Sequence, residues 1–184
     1  MEAGLDPAPT WPPQPGAPEE QPPAADDASA LTDALARCYA HLARREHSVA
    51  ELRARLRRGG TDEQTIDAAL ALVIEQGYLD DARYARLLAE DRRTIDGWGV
   101  DRIRARLASA GVDRELIELT LARFDATSEC DAAVALLGRR FPQPLQGDRE
   151  RQRAFALLMR QGYDSDVAYD AIRRHEADGP QPAR

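Results

Sequence analysis

The chain has 184 residues, 31% of them charged: 25 arginines and no lysine against 32 acidic residues, with three histidines, for a formal charge of -7. No apolar run approaches the roughly 20 residues of a membrane-spanning helix. The start, MEAGLDPAPT, has neither the basic beginning nor the apolar stretch of a secretory signal, so the expected location is the cytoplasm.

The first segment differs from everything after it. Residues 1–30 hold six acids, no arginine and eight of the twelve prolines, whereas the remaining 154 residues set 25 arginines against 26 acids. With so little apolar content to offset the entropy of ordering, residues 1–30 are expected to be a disordered acidic arm.

From residue 31 the apolar spacing becomes helical. Leu31, Leu35, Cys38, Tyr39 and Leu42 share one face of a helix expected from about Leu31 to Glu46. Ser48 and Glu51 form an S-x-x-E capping box that opens a second helix. Thr61 and Gln64 offer another such box ahead of Ile66, Leu70, Val73 and Ile74.

The stretch ELRARLRRGGTDEQTI at 51–66 then returns as RIRARLASAGVDRELI at 102–117 and as RAFALLMRQGYDSDVA at 153–168, a constant offset of 51. Leu56, Leu107 and Leu158 align, as do Gly60, Gly111 and Gly162, then Asp62, Asp113 and Asp164, then Leu70, Leu121 and Ile172. The leucine faces a core, and the glycine takes the left-handed conformation just past a helix end. The aspartate accepts backbone N–H bonds at the next helix start.

Gly77 ends a helix and Asp80 caps the following one, with Leu79 and Tyr84 spaced as a hydrophobic staple across the cap. DGWG at 96–99 stops that helix in a glycine-flanked turn. Val100, Ile103 and Leu107 mark the next helix, and Leu116, Ile117 and Leu121 the one after it. In the last unit Val134, Leu137 and Phe141 give the first helix, PQPLQG at 142–147 breaks the chain, residues 149–160 form the second, and Val167, Ala168, Ala171 and Ile172 supply the third.

The expected fold is therefore all-α: an arm at 1–30, three-helix repeats at 31–79, 80–129 and 130–176, and a frayed tail at 177–184. Units of this size are marginal alone, so neighbours stack into an extended, curved array.

The chemistry points to binding. There is no phosphate-binding loop with its lysine and no G-x-S-x-G nucleophile turn. His41 and His47, six residues apart, fall about 240° apart around a helix and do not share a metal on it. His47 is expected to help end a helix. Cys38 and Cys130 lack metal-ligand spacing and read as small buried fillers. No catalytic, cofactor or metal site is expected.

The arginines remain. Arg53 and Arg57 in the first repeat, Arg102, Arg104 and Arg106 in the second, and Arg149, Arg153 and Arg160 in the third occupy non-core positions. Stacked repeats would present them as one ladder of guanidinium groups for carboxylates or phosphates. Arg44, Arg45, Arg92 and Arg93 rank second as contacts, their other reading being stabilisation of helix C-termini. Trp98 is either a plug for the joint between helices or an exposed anchor in an interface; Tyr78 and Tyr163 read as packing residues. The helix, glycine turn, helix pattern also suits a duplex-DNA reader, but the candidate reading helices at 62–75 and 113–124 carry more acid than base. A general helical scaffold for another protein has the same shape.

REHS at 45–48 followed by AELRARL, GYLDDARYA at 77–85, GWGVDRIRARL at 97–107 and RQGYDSDV at 161–168 together resemble the RecX family of recombinase regulators, over about residues 33–176. With no strong exposed heptad in the sequence a monomer is expected, and the resemblance implies a non-enzyme that lies along the RecA filament on single-stranded DNA. There it restrains ATP hydrolysis, strand exchange and co-protease activity in recombination, DNA repair and the SOS response, with at most weak direct DNA contact.

Overall fold

Nine helices make up residues 25–177, the part of the chain that the computed structural model describes, and no strand occurs among those residues. They are α1 (Ala25–Leu42), α2 (Val49–Arg58), α3 (Glu63–Glu75), α4 (Asp81–Thr94), α5 (Val100–Ser109), α6 (Arg114–Leu121), α7 (Ala126–Arg140), α8 (Gly147–Gln161) and α9 (Ser165–Ala177). Residues 1–24 of the expected arm and 178–184 of the expected tail lie outside the described residues. Residues 25–30, read as arm, belong instead to α1. Three alanines there favour helix.

The repeated glycine and aspartate act as their positions require. Gly60, Gly111 and Gly162 have φ of 81°, 74° and 83°. Asp62 accepts from Thr65 N–H, Asp113 from the N–H groups of Glu115 and Leu116, and Asp164 from Asp166 N–H. Thr61 does not cap α3. The aspartate beside it holds that role, and the Thr61 hydroxyl lies 3.4 Å from Arg37 Nη1.

Three separate cores follow, one per repeat, with α1 packed chiefly on α3, α4 on α6 and α7 on α9. Leu56, Leu107 and Leu158 are at most 1% exposed, each contributing about 1.5–3 kcal/mol by leaving water. Leu79 belongs to the first core and Tyr84 to the second, so this pair straddles a boundary instead of serving one core. In the third core Leu136 and Leu145 are buried, while Val134 and Phe141 pack at its edge.

Candidate functional site

The repeats meet at two joints built the same way. Ser48, the N-cap of α2, accepts from Glu51 N–H and donates its buried hydroxyl across the boundary to Ala110 O at 2.5 Å. At the second boundary Gly99, the N-cap of α5, donates its N–H to Gln161 O at 2.8 Å, and Asp101 N–H reaches Gly162 O. Both contacts span 62 residues of sequence. A carboxylate from the following repeat then caps the first helical N–H: Asp81 takes Val49 N–H at 2.8 Å, and Glu129 takes Val100 N–H at 3.3 Å.

The glycines allow this closeness. A Cβ on Gly111 would lie 2.4 Å from Ala50 Cβ, and one on Gly99 2.3 Å from Gly162 O. Gly97, at the other end of the same turn, has Leu136 and Arg139 against it.

Around the first joint the polar groups converge on Glu51. Its carboxylate accepts from Arg45 and Arg106, both at 3.0 Å, and lies within 3.3 Å of His47 Nδ1 and the Tyr84 hydroxyl. Burial pushes its pKa up, but the Arg106 and Arg45 guanidiniums outweigh this and hold the carboxyl down at about 2. The capping box is thus half formed: the serine side closes, while Glu51 is drawn to the arginines.

His47 is buried and lies beyond the end of α1, so it does not end that helix; His41 stands in the last turn. Burial, then the Arg45 charge, pushes His47 down against its bond to Glu51. Asp81 is pushed up by burial and by its neighbours Asp80 and Glu51, against the bond from Val49.

The second joint holds a buried ion pair, Arg93 with Glu129, whose side chains are 10% and 9% exposed. Arg93 also donates to Ser128 O at 2.5 Å and stacks on Phe124. Tyr163 is 1% exposed and its hydroxyl has no partner among the described residues. Burial, then the Glu129 charge, pushes it up to about 12.

The candidate arginines divide by environment. Arg53 pairs with Asp67 at 2.6 Å and with Glu63, Arg57 pairs with Glu63, and Arg104 with Asp101 and Glu118. Arg102 and Arg106 serve the joints, Arg102 by bonding Gln161 and the Arg160 carbonyl. Arg149, Arg153 and Arg160 are exposed and make no ion pair among the described residues. At the 51-residue offset Arg53 matches Arg104 and Phe155, and Arg57 matches Ala108 and Met159, so the cations do not all fall in register.

What the structure brings together is Arg45, Arg92 and Arg106. They line a groove of about 470 Å³ between the first two repeats together with Glu46 and Asp91, with Tyr84, Leu87 and Leu88 as its apolar wall; Arg45 and Arg106 are held by Glu51, and Arg92 pairs with Asp96 at 2.6 Å. A second groove of about 350 Å³ continues past Arg45 to Arg55 and Arg58. Arg44 is exposed beside this rim, whereas Arg93 is spent on the second joint. Trp98 is half-buried against the second core, between the guanidiniums of Arg92 and Arg102 at 5.2 and 4.2 Å.

Sequence reasoning placed Glu51 only in a capping box and missed its role at the joint, and it missed Glu129 and Arg83 altogether. Arg83 pairs with Glu46 at 3.0 Å and bonds the carbonyls of Gly77 and Tyr78. Nothing in local spacing marks partners 30 or more residues away. Tyr78, read as a packing residue, is instead 57% exposed, edge-on to Tyr39, because the Gly77 turn aims it outward. Both cysteines are buried and unpaired. Among the described residues no cluster of three or more metal-ligating side chains occurs, and no helix is long and apolar enough to cross a membrane.

These features define a class: tandem three-helix repeats locked end to end by polar joints, with an arginine-lined groove between the first two. The family model described as RecX, first three-helix domain, matches residues 34–71, and that for the RecX second three-helix domain matches residues 80–121. The protein named Regulatory protein RecX from Deinococcus radiodurans is 37% identical over 139 residues, covering 76% of this chain and 66% of that protein. The one from Leptothrix cholodnii is 37% identical over 146 residues, covering 77% and 90%.

The crystal structure of RecX from Lactobacillus salivarius superposes with a TM-score of 0.71 at 18% identity, covering 82% of this chain and 99% of that one. A second, a crystal structure of regulatory protein RecX, gives 0.67 at 23% identity, covering 81% and 74%. The chain belongs to the RecX family of regulatory proteins.

Proposed function

We propose that this protein regulates the RecA recombinase: as a monomer and a non-enzyme in the cytoplasm, it binds the RecA filament on single-stranded DNA and restrains ATP hydrolysis, strand exchange and co-protease activity. The observation that carries the reading, beside the family, is the joint itself. Used twice, it fixes three repeats in line, so that a single chain reaches several subunits of a polymer and gains avidity from doing so. Arg44, Arg55 and Arg58, which make no ion pair among the described residues, supply beside the groove of Arg45, Arg92 and Arg106 a cationic contact of the kind that acidic protein surfaces and phosphates take. Direct reading of duplex DNA fits less well, because α3 and α6 expose Glu63, Asp67, Glu115 and Glu118.

The test is the single-stranded-DNA-dependent ATPase of the cognate RecA with this protein titrated in. Inhibition is expected at less than one chain per RecA. Reversing Arg44, Arg55 and Arg58 to glutamate leaves both joints intact and is expected to weaken inhibition about ten-fold or more. No effect of the wild-type chain on ATPase, with no filament binding in the same mixture, sinks the reading.

A further inference from the structure

Three turns in this chain are equivalent, and among the described residues another repeat covers two of them. The α5–α6 turn of the second repeat is gripped by the start of α2. There, Ser48 donates to Ala110 O, and Ala50 sits where a Cβ on Gly111 would lie. The α8–α9 turn of the third repeat is gripped by the start of α5. Gly99 donates to Gln161 O, and a Cβ on Gly162 would lie 2.5 Å from Arg102 N.

On the matching turn of the first repeat, between α2 and α3, no repeat is packed among the described residues. Gly60 has the same left-handed backbone, with φ of 81°, yet a Cβ there would meet nothing within 4 Å. Gly59 O, the counterpart of Ala110 O and Gln161 O, is held, among the described residues, only by the exposed side chain of Arg37, at 3.0 Å. Asp27, exposed on the first turn of α1, stands at the register position of the capping Glu129, while Ala30 stands at that of the capping Asp81.

We infer that this turn, Gly59 to Thr61 with Arg37 as a displaceable cover, is a docking surface for the N-terminus of an α-helix in the partner. The two internal joints state the chemistry of that helix: serine or glycine at the N-cap, a free backbone N–H or hydroxyl to donate, and close backbone approach over the next turn. A second copy of this chain does not supply it. Its α2 and α5 starts are already engaged, and α8 begins earlier than the register requires and is closed by Glu150, which takes Gln146 N–H at 2.7 Å. Among the described residues the array is shut at its last repeat and open at its first. The inference rests on the proposed function in taking the partner to be a subunit of the RecA filament.

The experiment is hydrogen exchange by mass spectrometry on the full chain, free and bound to RecA filaments on single-stranded DNA, with filament affinity measured for two variants. Binding is expected to slow exchange in residues 57–64 and to leave the equivalent, already covered turn at 159–166 unchanged. Gly60→Asn adds bulk at the open surface while keeping a residue that tolerates the left-handed region, and is expected to weaken binding about ten-fold with helicity retained. Arg37→Ala removes the competing cover and is expected to tighten binding about three-fold.

Unchanged exchange at 57–64 in a complex that does form, or wild-type affinity for Gly60→Asn, overturns the docking surface and leaves the regulatory reading standing. A wild-type chain that fails to bind filaments overturns both. If Gly60→Asn proves unfolded, the exchange result on the wild-type chain decides.

Discussion

Replacing Glu51 with glutamine removes a charge and keeps the side chain's shape, so its effect isolates the electrostatics of the first joint. The Glu51 carboxyl stands at about 2 against an ordinary 4.5, and each pH unit of that gap corresponds to about 1.36 kcal/mol. The full gap gives an upper bound of about 3.4 kcal/mol, which solvent screening at a partly exposed site cuts to roughly half, about 1.7 kcal/mol. A carboxyl depressed on folding stabilises the folded state above its unfolded pKa, and this stabilisation disappears as pH falls through the folded value.

The wild-type chain should therefore exceed Glu51→Gln in stability by about 1.7 kcal/mol near pH 7, with the difference shrinking between about pH 4.5 and pH 2. Urea denaturation followed by circular dichroism at a series of pH values measures it. Parallel stability curves for the two proteins across that window would refute the argument that the arginines at the joint hold Glu51 ionised.

Tyr163→Phe deletes a buried hydroxyl that has no partner among the described residues. Thermal denaturation should show stability unchanged or raised by up to about 1 kcal/mol, since a group left unsatisfied carries its full desolvation cost. Gly162→Ala places a Cβ against the Arg102 backbone on a residue with φ of 83°, and should cost about 2 kcal/mol or more by the same measurement. Gly60→Ala meets only the backbone term and should cost about 1 kcal/mol. Leu107→Ala, in a site with 0% exposure, should cost about 2–5 kcal/mol.

Much of the fold was legible because its signals are local. A leucine four residues before a glycine, and an aspartate two residues after it, fix a helix end, a turn and a helix start within one short window, and all three copies form as read. The start of α1 was misplaced because proline-rich composition masked a short alanine-rich lead-in. The groove was only partly legible. Arg45, Arg92 and Arg106 were each visible as cations, but sequence spacing ranked them apart, and only the joint brings residues from α4, α5 and the α1–α2 connection to one rim. Glu51 shows the limit most plainly. Its spacing from Ser48 predicts a box that closes on the backbone, whereas two arginines, one of them 55 residues away, offer charge-assisted bonds that outcompete a backbone N–H.

The joints also explain why polar groups sit where a larger hydrophobic core would have served stability better. A buried pair such as Arg93 with Glu129 adds little net stability, because desolvating two charges offsets most of their attraction. Breaking its geometry is expensive, however, since an uncompensated buried charge is left behind. An apolar joint between marginal repeats would tolerate sliding, as hydrophobic contact is not directional. A joint made of an N-cap donor, a glycine with no room for a side chain and a carboxylate on the first helical N–H tolerates one arrangement. Its use at two boundaries holds the first repeat on the second, and the second on the third, through the same kinds of contact. For a protein proposed to match the regular spacing of a filament, a fixed step between repeats matters more than the stability of any one of them.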